Sequence, residues 1–383
     1  MGSEFINLDA NASFGLLPEV QDFLRELPEG MLNASSIHRG GQKSRALIEE
    51  ARDEIGRALG GVKNGRIVFT SGATEANNMA IGLPFASCGS QAGELVISAY
   101  EHPSVREAAF RLQTSGVKVK EVGAQSPTEL IPSILANVTA NTKLLSLMLA
   151  NNETGDVFEV NKLKAACSFA PYIHTDCVQA FGKLPLFWNS LGVDMLSLSA
   201  HKIGGLPGVG ALVLREGLPN EPFIVGGPQE TRWRAGTENI VGIVSFGIAA
   251  KCVRDNRESL AREMEKQKSF IERYLSQELS DVTFHRFAPT QLPNTLNVHT
   301  PGVNADDLVV ALDLKNILIS SGAACASGKP EPSHVLLALG KSEKVARESI
   351  RISVTGLETM DQIRRAAEDI VSTVREMRGG VTA

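Results

Sequence analysis

The stretch Val193-Asp194-Met195-Leu196-Ser197-Leu198-Ser199-Ala200-His201-Lys202 constrains the chain most. Its first part alternates and is apolar enough to be a buried strand. It then runs straight into Ser-Ala-His-Lys, with Gly204, Gly205 and Gly208 beyond. A lysine at the end of a buried strand reads two ways. Either it snorkels to water and does nothing more, or it is partly desolvated, loses proton affinity and acts as a nucleophile or base. The motif alone leaves these readings balanced, and the rest of the chain decides.

The surrounding pattern is α/β. Strands are expected at Arg66–Thr70, Leu95–Ser98, Val117–Val122, Lys143–Leu149, Tyr172–Thr175, Met195–Ser199 and Ala211–Leu214, mostly with helices between them. That alternation implies a mostly parallel mixed sheet covered on both faces. Asn33 to Gly41 reads as a polar loop before a helix from Ser44 to Leu59. After a Gly/Pro/Arg-rich stretch at 221–236, a long helix from about Val241 leads to a different layout. It has strands at Val282–His285, Thr295–Val298, Ile317–Ser320 and Ser349–Ser353, with helices at Asp306–Leu314 and Thr359–Met377. At 383 residues two domains are expected. We assign residues 16–250 to a large domain and 251–383 to a smaller α+β domain, which residues 1–15 join.

A net charge of −5, with no Lys/Arg-rich run, argues against nucleic acid or an anionic membrane as partner. The apolar stretches are strand-length, so no membrane span is expected. The N-terminus lacks the basic and apolar regions of a signal peptide, and Gly2-Ser3-Glu4-Phe5 reads equally as a cloning remnant. The five cysteines, Cys88, Cys167, Cys177, Cys252 and Cys325, are odd in number and scattered. That pattern suits neither a disulfide framework nor a metal site, and a reducing cytoplasm is expected.

Ligand sites in such sheets gather at the carboxyl ends of the strands, where the unusual residues fall. Thr70-Ser71-Gly72-Ala73-Thr74-Glu75 is a small-residue turn opening a helix, either a phosphate site or an ordinary helix start. Glu101-His102-Pro103 puts a histidine at a strand mouth, and Asn151-Asn152-Glu153-Thr154-Gly155 is a dense polar cluster or a simple turn. Asp176 either caps the next helix or meets a buried cation. A protonated pyridine nitrogen would be such a cation. Pyridoxal phosphate (PLP) uses a Schiff-base lysine with an acidic partner on that nitrogen.

Together these segments resemble the cysteine desulfurases, in the class-V branch of fold-type-I PLP enzymes. The resemblance runs from Leu8-Asp9 to Arg351. Besides the strings above it includes Asp176-x-x-Gln179, Ser199-x-His201-Lys202, Arg234-Ala235-Gly236-Thr237-Glu238-Asn239 and Ser320-Ser321-Gly322-Ala323-Ala324-Cys325-Ala326-Ser327. It implies that Lys202 carries PLP, that Asp176 binds the pyridine nitrogen, and that Gln179 binds the phenolic oxygen with Asn152 nearby. His102 stacks on the ring and handles protons. Ala73, Thr74, Ser199 and His201 hold the phosphate, which Thr237 reaches from the other subunit of a homodimer. Arg351 clamps the carboxylate of L-cysteine with Asn33 beside it. Cys325 is the nucleophile, leaving a persulfide and alanine, and the sulfur passes to an acceptor such as an iron–sulfur scaffold.

A free cysteine is ordinarily a small buried hydrophobe, but around Cys325 Ser-Ser-Gly before and Ser-Gly-Lys-Pro after read as an exposed loop. Asn11-Ala12-Ser13-Phe14-Gly15 departs from the usual Asn-Ala-Thr-Thr-Pro, and Ala34 follows Asn33 where proline is usual. Both departures bear on substrate preference. A selenocysteine lyase shares the whole cofactor site. A sulfur-relay partner with reduced catalysis has no need of an intact Lys202, Asp176 and Cys325.

Overall fold

The computed structural model describes residues 5–27, 32–86, 93–322 and 331–379; Cys88, Cys325 and Gly2-Ser3-Glu4 lie outside them. The chain opens with β1 (Ile6–Asn7), α1 (Pro18–Arg25) and α2 (Arg39–Ala58). The expected polar loop at 33–41 is shorter than its composition implies. His38 caps α2 by accepting a hydrogen bond from Gly41 N at 3.2 Å, so the helix starts five residues before Ser44. Gly41 is required there, since a Cβ would sit 2.4 Å from the Ser36 carbonyl oxygen.

Next come β2 (Gly65–Thr70), α3 (Ala73–Gly82), β3 (Glu94–Ser98), α4 (Pro103–Leu112), β4 (Lys118–Val122) and α5 (Pro127–Ala136). They are followed by β5 (Thr142–Ser146), α6 (Asn161–Ala166), β6 (Tyr172–Asp176), α7 (Trp188–Leu191), β7 (Met195–Ser199) and β8 (Gly210–Arg215). These strands form a seven-stranded sheet in the order β2-β8-β7-β6-β5-β3-β4. Only β8 runs against its neighbours, so β2, β3, β5, β6 and β7 all end on one edge. β3 and β7 are buried along their whole length, as expected for strands covered on both faces. The expected strand at 143–149 leaves the ladder after Ser146, because its continuation turns toward the site.

α8 (Ile240–Glu278) runs unbroken through residue 250. Its first half lies so close to α2 that a Cβ on Gly247 would come within 2.6 Å of Ala51 Cα. Its second half buries Met264, Ile271 and Leu275 among the later elements. These are β9 (Thr283–Phe284), β10 (Thr295–His299), α9 (Ala305–Asp313), β11 (Ile317–Leu318), β12 (Ser320–Ser321), α10 (His334–Ala338), α11 (Glu343–Arg347), β13 (Ser349–Ser353) and α12 (Met360–Gly379). An antiparallel sheet runs β12-β13-β10-β9. The expected single strand at 317–320 is split. β11 pairs with β1 in parallel, and β12 pairs with β13. Asp9 bridges to Ser353, which draws the N-terminal segment onto this second sheet and across the strand ends of the first. Among the described residues no helix is long and apolar enough to cross a membrane.

Candidate active site

β7 ends at Ser199, and a tight turn over Ala200–Lys202 follows. Gly204 and Gly205 let the chain fold back under it. A Cβ on Gly204 would meet Leu17 Cγ at 2.4 Å, and Gly205 N bonds to Ala200 O at 3.0 Å. Lys202 is held half-buried there. Its Nζ donates to the main-chain oxygens of Asn11 and Ala12, each at 2.7 Å.

Asn11 is buried and joins four parts of the chain. Its Nδ2 reaches Asn152 O at 3.1 Å and Thr295 Oγ1 at 2.8 Å, and its Oδ1 accepts from Lys183 at 2.7 Å and Asn294 at 3.0 Å. Its carbonyl oxygen also takes Gln179 Nε2 at 2.9 Å.

Asp176 is the last residue of β6 and is buried. Val178 N donates to Oδ1 at 2.9 Å and Asn77 Nδ2 to Oδ2 at 2.8 Å. Among the described residues no cationic side chain donates to it, so the carboxylate suits a cation supplied by a ligand. The same Asn77 nitrogen donates to Ser104 Oγ at 2.8 Å, which lies 2.8 Å from His102 Nδ1. His102 caps α4 and also accepts from Ser104 N at 3.1 Å. With Nδ1 an acceptor, the neutral ring carries its proton on Nε2. Burial pushes the His102 pKa down. Asp176 opposes that shift, while Lys202 and Arg351 add to it, so all three groups are near enough to act on the ring.

The phosphate candidates fit an anion. Gly72, with φ +154°, precedes α3, and no side chain caps the helix, so its first N–H groups point outward uncapped. Gly210 keeps the turn open, since a Cβ there would lie 2.6 Å from the Gly72 carbonyl carbon. Ala73 and Thr74 form the first turn of α3, and Ser199 Oγ lies 2.9 Å from His201 Nδ1. Burial, with Lys202 adding to it, lowers the His201 pKa to about 4. Thr237 is exposed, but Arg234, three residues before it, pairs with Glu75 at 2.8 Å in the first turn of α3. Arg234 therefore lies beside this helix end within the same chain.

Arg351 lies in β13 and is almost fully buried. Nη2 pairs with Asp9 at 2.6 Å and Nη1 donates to Asn152 O at 3.1 Å, while Nε is buried without a hydrogen bond. That unused donor is what a substrate carboxylate would take. Asn33 is not brought alongside. It is exposed, and its Oδ1 accepts from Ser35 N at 2.9 Å because the residue builds a local turn.

The motif strings contained Asn11, Glu101 and Glu153 without giving them a role. Asp9 opened the resemblance without a role, and Asn77, Ser104 and Lys183 carried no signal beyond being polar positions. Glu101 is fully buried. Oε1 accepts from Met148 N at 2.7 Å and Ser98 Oγ at 3.1 Å, and Oε2 has no partner. Burial, reinforced by Asp176, lifts its pKa to about 8. Burial likewise lifts the Glu153 pKa to about 7. The Glu153 carboxylate accepts a short hydrogen bond from Ser333, and a Cβ on Gly322 would come within 2.9 Å of Oε2. Gly322 and Ser333 thus meet at one buried carboxylate, either side of the segment containing Cys325. Cys177 is fully buried, and burial raises its pKa well above the ordinary thiol range, so it is no thiolate nucleophile.

A mixed, mostly parallel sheet with a lysine, a carboxylate and an uncapped helix start at its strand ends, and a second sheet closing over them, defines an α/β PLP-type transferase. Residues 6–365 match the aminotransferase class-V family, and the chain belongs to it. The cysteine desulfurase IscS of Dictyoglomus turgidum is 36% identical over 375 residues, covering 97% of this chain and 94% of that protein. A cysteine desulfurase of Cereibacter sphaeroides is 38% identical over 379 residues, covering 98% and 97%. The solved structure of a NifS-like protein from Rickettsia africae superposes with a TM-score of 0.83 at 31% identity, covering 98% of this chain and 100% of that one.

Proposed function

We infer that the chain is a PLP-dependent cysteine desulfurase. It takes sulfur from L-cysteine, releases L-alanine and holds the sulfur as a persulfide on Cys325. The observation that carries the reading is a pair of hydrogen-bonded links, Asp176 to His102 through Asn77 and Ser104 and Lys202 to Arg351 through Asn11 and Asn152, with no cationic side chain among the described residues donating to Asp176.

PLP supplies an electron sink for the α-carbon of the amino acid attached to it. The protein residues do the rest. Asp176 would accept the pyridine N–H, and Gln179 Nε2, which gives one hydrogen to Asn11 O, would offer its second to the ring oxygen. The uncapped start of α3 at Ala73 and Thr74, with Ser199 and His201, takes the phosphate. Lys202 would hold the cofactor and, as a free amine, would take the α-proton. Arg351 holds the carboxylate through the unused Nε. The Cys325 thiolate attacks the substrate sulfur. The carbon–sulfur bond breaks with its electron pair left on carbon, a proton replaces the sulfur, and alanine forms. His102, with its proton on Nε2, serves as an acid on this path.

The active form is a homodimer in which Thr237 of a second copy completes the phosphate site. Exposed Ile37 and Val225, at 92% and 83%, are apolar side chains that a covering partner would bury. The acceptor proposed is an iron–sulfur scaffold or another sulfur-receiving protein, with L-selenocysteine as an alternative substrate. The test supplies L-cysteine, L-selenocysteine and plain amino acids with a reductant. Equal sulfide and alanine from L-cysteine, and no product from plain amino acids, are expected. A keto acid from plain amino acids without sulfide from cysteine would make it an aminotransferase instead.

A further inference from the structure

Lys183 is a buried lysine that no step above uses, with 3% of its surface exposed. Its Nζ donates to Gln179 Oε1 at 2.8 Å and Asn11 Oδ1 at 2.7 Å, both neutral amide oxygens. Enclosing an ammonium between two neutral acceptors is costly, and a methionine of similar length would fill the same space without that cost. The position therefore calls for what only a cation donor supplies.

A protonated lysine donates and never accepts. Bound to Gln179 Oε1, it leaves the other end of that amide, the NH2 group, pointing at Asn11 O at 2.9 Å. Lys202 Nζ lies 2.7 Å from the same oxygen. Gln179 and Lys202 therefore share one acceptor, in a turn whose side chain Lys183 also holds. We propose that Lys183 is a positioning residue, which fixes the Gln179 amide with its NH2 toward the cofactor's ring oxygen and pins the Asn11 turn against Lys202. This inference rests on the desulfurase reading above.

Lys183 and Lys202 also act on each other electrostatically. Burial lowers the Lys183 pKa well below the ordinary lysine range, and Lys202 and Arg351 lower it further. The effect is reciprocal: a charge on Lys183 opposes protonation of the nitrogen that joins Lys202 to the cofactor and favours the anionic ring oxygen. Without Lys183, Gln179 is free to turn its oxygen toward that anion, which repels it.

The test uses holoenzyme of the wild type, Lys183→Met, Gln179→Ala and the double variant. The pH midpoint of the cofactor's visible band and the cofactor dissociation constant are measured for each. Lys183→Met should raise the midpoint by about one unit or more and weaken cofactor binding about tenfold. Adding Gln179→Ala to it should weaken binding little further. If Lys183→Met does not accumulate as folded protein, Lys183→Gln carries the same measurement. A variant that only melts earlier, with the wild-type midpoint and dissociation constant, overturns the proposal, as do single effects that multiply in the double variant. A wild type with no Lys202-dependent band instead sinks the desulfurase reading itself.

Discussion

Asp176 and His102 are joined through two residues, Asn77 and Ser104. Asn77 Nδ2 lies 2.8 Å from both Asp176 Oδ2 and Ser104 Oγ, and Ser104 Oγ lies 2.8 Å from His102 Nδ1. Because the Asn77 nitrogen only donates, the serine keeps its hydroxyl proton for the histidine. The group expected at the cofactor's pyridine nitrogen and the group expected over its ring are thus one hydrogen-bonded unit.

Replacing Asn77 with Ala should therefore act on both. The buried Asp176 loses one of its two donors, at about 1–3 kcal/mol of stability, and the Ser104 hydroxyl beside His102 loses the donor that orients it. Thermal unfolding and kcat for sulfide release should both fall. A variant with wild-type values for both contradicts the linkage.

Glu101 predicts a pH effect on stability. Its folded pKa, lifted to about 8 by burial and Asp176, lies above that of an unfolded glutamate. Its contribution is fully present below the unfolded value and is lost as pH rises through about 8. Glu101→Gln should remove that slope. The difference in Tm between wild type and variant should shift in favour of the variant from pH 5.5 to pH 8.5. A constant difference would show that Glu101 does not titrate in this range.

Gly322→Ala should bring its Cβ against the Glu153 carboxylate, 2.9 Å away, beside Ser333. No left-handed backbone is required at Gly322, so the obstacle is space alone. Overpacking of this kind costs about 1–3 kcal/mol. Cofactor binding should survive while sulfide release falls, because the displaced residue lies three before Cys325. Glu153→Ala in the same chain should relieve the clash. A double variant that binds cofactor normally but releases sulfide more slowly than Gly322→Ala contradicts this account.

Arg351→Ala should raise KM for cysteine, by about 1.5–3 kcal/mol if one charge-assisted contact is lost. Arg351→Lys should not restore it, because a point charge cannot reproduce the guanidinium's simultaneous reach to Asp9, Asn152 and substrate. Unchanged KM and kcat in Arg351→Ala would remove Arg351 from the substrate site.

The strand pattern was legible because β3 and β7 are unbroken apolar runs, and Lys202 stood out by ending one of them. Asp176 and His102 were found by position at strand ends. What joins them was not legible. Asn77 lies inside a helix, and its partners stand 27 and 99 residues away in sequence. The role of Asn11 depends on contacts to Lys183, 172 residues on, and Asn294, 283 residues on. The split of the 317–320 strand reflects a choice of neighbours, β1 or β13, that local propensity does not encode.

Cys325 is the residue on which the sulfur-transfer account depends, and mass spectrometry of the holoenzyme after exposure to L-cysteine without reductant tests it most directly. One added sulfur should appear on the peptide containing Cys325. Cys325→Ser should retain the Lys202-dependent visible band and the spectral response to cysteine, yet gain no sulfur and release no sulfide. Added sulfur on Cys177, Cys167 or Cys252, with Cys325→Ser still active, would contradict the account.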